Sequence, residues 1–335
     1  MLKIGIVGFG YWGKNLVRNF YHLDGCQIEY VCEKNEKNAY KCSTTYPNVN
    51  VVDDFETLLN DQNVDAIVIA TPVDTHYQLA KDALLYSKHV LVEKPLTSSY
   101  EEAKELVELA QEKGKILMVD HTFLYTGAVM NLKSLVKNDK LGEIQYIDST
   151  RINLGLFQHD VNVLWDLAPH DISISNYILA KKPISVQATG VSHTKNEIEN
   201  IAYLTLKYEN NIIAHFNCSW VSPVKIRQIL IGGTEKMVVF NDMEPTEKIK
   251  IYDTGYQYEN DDERNDILVD YRTGDIYVPK IKMTEALSLM AADFIKSIEN
   301  NTNPISNAQL GLDVVEILDA AERSIKSNGK EISLA

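Results

Sequence analysis

No stretch of this 335-residue chain is apolar and uninterrupted for long enough to cross a bilayer, so no membrane-spanning helix is expected. The first apolar run meets a glycine turn after a few residues, and a secretory signal is not expected either. Cysteine is scarce: Cys26, Cys32, Cys42 and Cys218 are the four, and none stands in C-x-x-C spacing. Zinc is therefore not expected. Cys26 and Cys32, an even number of positions apart on one predicted strand, suit buried free thiols and a reducing cytoplasm. Basic charge is also in deficit. Lys and Arg total 33 against 47 Asp and Glu, a net charge of -14, which argues against nucleic acid or an anionic membrane as the main partner. A local basic pocket for phosphates remains compatible with that balance.

What is present suits a soluble globular protein of one large or two ordinary domains, with 45% hydrophobic and 24% charged residues. The chain opens on KIGIVGFGYWG. Ile4, Ile6 and Val7 read as a strand buried on both faces, and Gly8, Gly10 and Gly13 supply G-x-G-x-x-G where a helix should open. Gly8 permits the tight turn, Gly10 lets backbone N–H groups approach a pyrophosphate, and Gly13 lets the helix lie close on the strand. The next strand, Cys26 to Cys32, ends at Glu33, whose carboxylate is placed to accept from adenosine ribose hydroxyls. The alternative is a helix-adjacent surface carboxylate.

Further strands follow at Val49 to Val52, Ala66 to Ala70, His89 to Val92 and Ile116 to Val119, alternating with helices. This pattern predicts a doubly wound parallel sheet. Thr71-Pro72 must end the fourth strand, because proline cannot donate to the ladder. Ser98 and Ser99, each three residues before a glutamate, open a helix that Gly114 closes. After a connecting helical segment at His121 to Asn138 the character changes. Strands succeed one another from Gln145 to Tyr252 with one helix near Leu164 to Leu179, and Asn210-Asn211 marks a hairpin, which predicts an α+β domain with a mostly antiparallel sheet. Thr284 and Asn307 are the expected caps of two closing helices, and the polar segment Asp261 to Tyr277 reads as a long loop. The expected division is 1–122 and 123–335.

Two places could carry chemistry. Lys94 follows the fifth strand in a Glu-Lys-Pro loop at the carboxyl edge of the sheet, where it can steady the alkoxide that forms as hydride leaves; the alternative is a lysine solvating a loop. In Trp165-Asp166-Leu167-Ala168-Pro169-His170-Asp171, proline suits a first turn, so a helix is expected to start near Asp166. Asp166 and His170 then face one side, as a carboxylate and the imidazole general base it would orient. An N-cap aspartate and a core histidine are equally open. A metal site from His159, Asp166, His170 and Asp171 is not expected, since hydride transfer to nicotinamide needs none.

GFGYWG, Glu33, Thr71-Pro72 with Thr75-His76, HVLVEKP at His89 to Pro95, and Asp166-x-x-x-His170 together resemble the glucose-fructose oxidoreductase and inositol dehydrogenase (Gfo/Idh/MocA) family along essentially the whole chain. The resemblance implies an N-terminal Rossmann domain and a C-terminal open-faced sheet that mediates homodimers or homotetramers. By resemblance, Lys94 and His170 are catalytic, with Asp166 supporting. NAD would meet Gly8, Phe9, Gly10, Tyr11, Trp12 and Gly13, then Glu33 and Lys34, then Thr71, Pro72 and His76, and finally Glu93 and Lys94. Glu33 favours NAD, while Lys34 leaves NADP open. Many members carry Arg-Phe-x-Pro after the sixth strand, where this chain has His121-Thr122-Phe123-Leu124-Tyr125-Thr126. WDLAPHDISI, DYRTGDIYVP and TEAL look like a subgroup similar to UDP-N-acetylglucosamine 3-dehydrogenase. The implied reaction is oxidation of a secondary ring hydroxyl, at C3 of a UDP-linked N-acetylhexosamine. The alternatives are a dehydrogenase of a free sugar or inositol, and a non-catalytic cofactor-binding regulatory or scaffold protein.

Overall fold

The computed structural model describes residues 1–155, 157–158, 161–257, 270–272 and 274–334. They form two compact units, Met1–Thr126 with Thr284–Glu316, and Gly127–Met283 with Ile317–Ala335. The expected division at 122/123 compares with 126/127 here, and 284–316, expected in the second domain, lies in the first unit.

The first unit alternates β1 (Leu2–Val7), α1 (Tyr11–Tyr21), β2 (Cys26–Cys32), α2 (Glu36–Thr45), β3 (Asn50–Val52), α3 (Phe55–Asn60), β4 (Ala66–Ile69), α4 (His76–Leu85), β5 (His89–Glu93), α5 (Tyr100–Lys113) and β6 (Leu117–Asp120). Ile4, Ile6, all of β4 and Val90 to Val92 are buried, because helices cover both faces of the sheet and leave no side for polar residues. Each such Ile or Val stabilises the fold by about 1.5–3 kcal/mol. The six strands run parallel in the order β3-β2-β1-β4-β5-β6. Chain progression reverses between β1 and β4, so their carboxyl ends open the crevice where such sheets bind ligands. Ser99 Oγ caps α5 by accepting from Glu102 N at 3.4 Å, and Gly114 ends it with φ of 60°.

The second unit holds α6 (Gly127–Lys137), β7 (Ile144–Leu154), α7 (Val163–Leu179), β8 (Ser185–Val191), β9 (Ile201–Lys207), β10 (Ile213–Ser219), β11 (Val221–Gly233), β12 (Met237–Asn241) and β13 (Ile249–Tyr252). Four short strands, β14 (Gly255–Gln257), β15 (Asp270–Arg272), β16 (Ile276–Tyr277) and β17 (Ile332–Ser333), complete its strands. Nine strands pair in the order β16-β13-β12-β11-β7-β10-β9-β8-β17; β7 and β10 run parallel and the other pairs antiparallel. Asn210 and Asn211, with φ of 62° and 57°, make the expected hairpin turn between β9 and β10. Ala202, Leu204, Leu206, Ala214 and Phe216 alternate into the core, while Tyr203 and Ile213 are exposed on the other face. Among the described residues, no helix is long and apolar enough to cross a membrane. The four cysteines are free and buried.

Three expectations differ. The helix expected at Leu164 to Leu179, and from the proline to start near Asp166, begins at Val163, because Asn162 Oδ1 accepts from Leu164 N at 3.0 Å and Trp165 N at 3.3 Å. Pro169 therefore falls inside the helix, where its missing N–H leaves the Trp165 carbonyl without its helical donor. Thr284 does not cap α8 (Ala286–Asn300). Glu285 holds the cap position, and its carboxylate reaches instead to Arg18 Nη1 at 3.2 Å. Asn307 does cap α9 (Ala308–Lys326), accepting from Leu310 N at 3.0 Å. Within the segment expected as loop, Asp270–Arg272 pairs with Gly255–Gln257 and Ile276–Tyr277 pairs with β13. Residues 261–269 and 273 of that expectation lie outside the described residues.

Candidate active site

At the end of β1 the backbone turns at Gly8 with φ of +94°, and a Cβ there would stand 2.5 Å from the Ala70 carbonyl oxygen. Gly13 is equally constrained, since its Cβ would lie 2.2 Å from Gly8 O. Gly10 differs: nothing lies within 4 Å of the position its Cβ would take. The first two glycines are thus required by packing. The third leaves open space at the N-terminus of α1, which no side chain caps and which has no acidic residue in its first turn. That is the cradle a pyrophosphate fits, with helix N–H groups and the positive dipole end toward it.

Glu33 follows β2. Its Oε2 accepts from Phe9 N at 2.7 Å and its Oε1 from Asn35 N at 2.8 Å. The carboxylate therefore shapes the glycine loop, and each oxygen keeps a lone pair for a ribose hydroxyl. Beside it a 280 Å³ hollow is walled by Phe55, Pro72 and Leu79, with Glu33 and Lys34 at its polar edge. Gly8 and Thr71 also line it, so the structure brings these expected cofactor residues together. Tyr11 and Trp12 are exposed on the first turn of α1, and Phe9 is buried.

His76 is only 1% exposed. Its Nδ1 lies 2.9 Å from Pro95 O and its Nε2 2.9 Å from Thr71 O, so the ring ties the loop after β4 to the loop after β5. Burial outweighs the two carbonyls and holds its pKa below the usual histidine value. Lys94 is half-buried at the end of β5. Glu93 is buried beside it, and its Oε2 accepts from Lys94 N at 3.2 Å.

In the second unit, α7 carries the other expected residues. Asp166 lies in its first turn, where the helix dipole favours a carboxylate, and Oδ2 accepts from Trp220 Nε1 at 2.9 Å. Asp166 and His170 are half-buried, one turn apart on one helix side, as their spacing requires. Trp220 is 1% exposed and stacks on Phe157 with ring centroids 5.7 Å apart. Asp171 accepts from Arg151 Nε at 2.9 Å, Arg151 Nη2 at 2.6 Å and Ser149 Oγ at 2.9 Å. Burial alone would lower the Arg151 pKa; the Asp171 charge and hydrogen bonds more than offset it, and the net shift is upward. His159 lies outside the described residues.

Asp120, Arg151, Asn162 and Trp220 were not singled out from sequence. A signal existed for Asp120: the apolar runs HVLVE and ILMVD both stop at an acidic residue, and register pairs those two residues.

A glycine cradle at the reversal point of a 3-2-1-4-5-6 parallel sheet, with a carboxylate ending the second strand, defines a dinucleotide-binding domain. Residues 2–121 match the family described as "Oxidoreductase family, NAD-binding Rossmann fold", and residues 129–239 match the "GFO/IDH/MocA C-terminal domain". The chain belongs to the Gfo/Idh/MocA oxidoreductase family, and residues 2–121 are its NAD-binding domain. It is 34% identical over 181 residues to the uncharacterized oxidoreductase YdgJ of Escherichia coli, covering 50% of this chain and about half, 51%, of that protein. It is 27% identical over 239 residues to the UDP-N-acetylglucosamine 3-dehydrogenase of Acidithiobacillus ferrooxidans, covering 69% of this chain and 71% of that one. The solved structure of UDP-N-acetylglucosamine 3-dehydrogenase GnnA from Acidithiobacillus ferrooxidans shares the fold, with a TM-score of 0.80 at 22% identity over 97% of this chain and 98% of the other.

Proposed function

We propose that the protein is an NAD-dependent oxidoreductase that converts a secondary ring hydroxyl of a nucleotide sugar, C3 of UDP-N-acetylglucosamine or a relative, to a ketone. The observation that carries this reading is Lys94 at the carboxyl edge of the same sheet whose glycine cradle and Glu33 suit NAD. The similarity to a UDP-N-acetylglucosamine 3-dehydrogenase supports the substrate class.

Gly8 to Gly13 and Glu33 would hold NAD, which would supply the hydride acceptor. In this reading His170 takes the hydroxyl proton, and Asp166, fixed by Trp220, orients it. Lys94 donates to the substrate oxygen as negative charge develops there. Self-association through the exposed face of the second unit's sheet belongs to the same reading, supported by the exposed Tyr203 and Ile213. Cytoplasmic residence does too.

The test supplies the enzyme and NAD with UDP-N-acetylglucosamine, glucose or inositol and follows NADH absorbance. Lys94→Ala should lower kcat by about 10²–10³-fold while NAD still binds. Turnover of free polyols alone would reject the nucleotide sugar, and full activity in the variant would remove Lys94 from the mechanism.

A further inference from the structure

Two carboxyl groups stand side by side next to Lys94. β5 and β6 run parallel with Glu93 in register with Asp120, and both strands end there. Neighbouring strands are about 4.8 Å apart, so in-register side chains leave the sheet on one face within reach of each other. Both side chains are buried, Glu93 8% and Asp120 3% exposed.

The donors around them are few. Asp120 Oδ1 accepts from Thr122 Oγ1, and Glu93 Oε2 accepts from Lys94 N at 3.2 Å. Glu93 Oε1 receives no donor from the described residues, and it belongs to a side chain that faces another carboxyl. Two carboxylates so placed repel in a medium that screens poorly, whereas a proton on either one turns the contact into an O–H···O⁻ bond.

The groups around the pair leave it that choice. Lys94 is a cation acting on both carboxyls. His121, 1% exposed with neither ring nitrogen partnered among the described residues, is kept neutral by burial and by the Lys94 charge. Tyr125 donates to Asp293 Oδ2 at 2.7 Å, and burial and that carboxylate keep it protonated. A doubly ionised pair would set two negative charges against Lys94. One shared proton leaves a matched pair of charges.

We propose that Glu93 and Asp120 share one proton and form a buried pair of single negative charge that positions the Lys94 ammonium at the carboxyl edge of the sheet. Burial, and for Glu93 then the neighbouring Asp120, raises both carboxyls above their ordinary range, which agrees with this geometry. The inference rests on the role given to Lys94 in the proposed function, but its first test does not. Neither carboxyl is a catalytic residue here; they act through the lysine.

Carbon-13 labelling of the Asp and Glu side-chain carboxyls in the wild-type protein allows each to be titrated by NMR without substrate. One of the two should remain protonated at pH 7, and a spectrum with both ionised would overturn the pair. The second test compares two variants. Asp120→Asn offers Glu93 an amide donor in place of the shared proton, while Asp120→Leu offers none. Asp120→Leu should lower kcat roughly tenfold with little change in the KM for NAD, and Asp120→Asn should recover most of that loss. Equal kcat in the two variants would also refute the proposal. Absence of turnover with every sugar, alongside a retained proton, would instead remove the proposed function and leave the pair standing.

Discussion

Arg151 and Asp171 meet as a two-bond fork inside the second unit, Nε to Oδ2 at 2.9 Å and Nη2 to Oδ1 at 2.6 Å, with side chains 5% and 2% exposed. Arg151 comes from β7 and Asp171 from α7, so the pair fixes the helix that carries Asp166 and His170 against the sheet beneath it. Ser149 supplies a further donor to Asp171. The clamp favours one register, since the Nε/Nη2 edge of the guanidinium meets the carboxylate in two parallel bonds.

Removing one partner strands a buried charge, which destabilises by about 3–5 kcal/mol. Arg151→Met should therefore shift the urea midpoint sharply downward. The double variant Arg151→Met, Asp171→Leu should recover a large part of the loss, because no uncompensated charge remains. Equal midpoints for the single variant and the wild type would show that the fork does not hold the helix.

The three glycines separate packing from ligand binding. A Cβ at Gly13 meets Gly8 O at 2.2 Å, so Gly13→Ala should unfold at lower urea with no cofactor present. A Cβ at Gly10 meets nothing within 4 Å, so Gly10→Ala should keep its urea midpoint but bind NAD about tenfold or more weakly in a fluorescence titration. Unweakened NAD binding by Gly10→Ala would place the pyrophosphate elsewhere.

The parallel half of the fold was legible because its signals are local. Continuous apolar runs such as AIVI, a glycine turn and a capping serine each act within a few residues, and β2 and α5 fall where the residues put them. For α7 the apolar span Leu164 to Leu179 comes within one residue of the helix, whereas a start near Asp166 does not hold, because Pro169 looks like a first-turn proline while the actual cap is Asn162. β15 and β16 were missed for a related reason: three and two polar or mixed residues show no alternation, and partners far along the chain decide their pairing. Within the candidate site, glycines and Lys94 advertise themselves by motif. Asp120 and Arg151 do not, since a carboxylate ending a strand and an arginine within one gain their meaning only from register, with Glu93 and Asp171 as the partners.

Trp220 holds Asp166 through one hydrogen bond, Nε1 to Oδ2 at 2.9 Å. Trp220→Phe keeps an aromatic ring against Phe157 and removes that donor. If Asp166 orients His170 during proton abstraction, kcat for the sugar should fall by roughly five- to tenfold, with the KM for NAD unaltered. A loss confined to thermal stability, with kcat intact, would reduce Trp220 and Asp166 to a packing role.

His121 gives the molecule an acid-labile point. Burial first, and then the Lys94 charge, push its pKa down to about 3 in the folded protein, from an ordinary value of 6.5. Above about pH 6.5 neither the folded nor the unfolded chain protonates it, and it has no effect on the pH slope. As pH falls from 6.5 toward 3, the unfolded chain takes up a proton that the folded chain refuses, so stability drops with falling pH by about 1.4 kcal/mol per unit. His121→Phe fills a similar volume and removes two ring nitrogens that have no partner among the described residues. Its stability at pH 7 should match or exceed that of the wild type. Between pH 6.5 and 4 the variant should gain on the wild type by roughly 3 kcal/mol in urea unfolding. Parallel stability curves for the two proteins across that window would mean that His121 titrates normally and that the carboxyl edge of β6 is open to water.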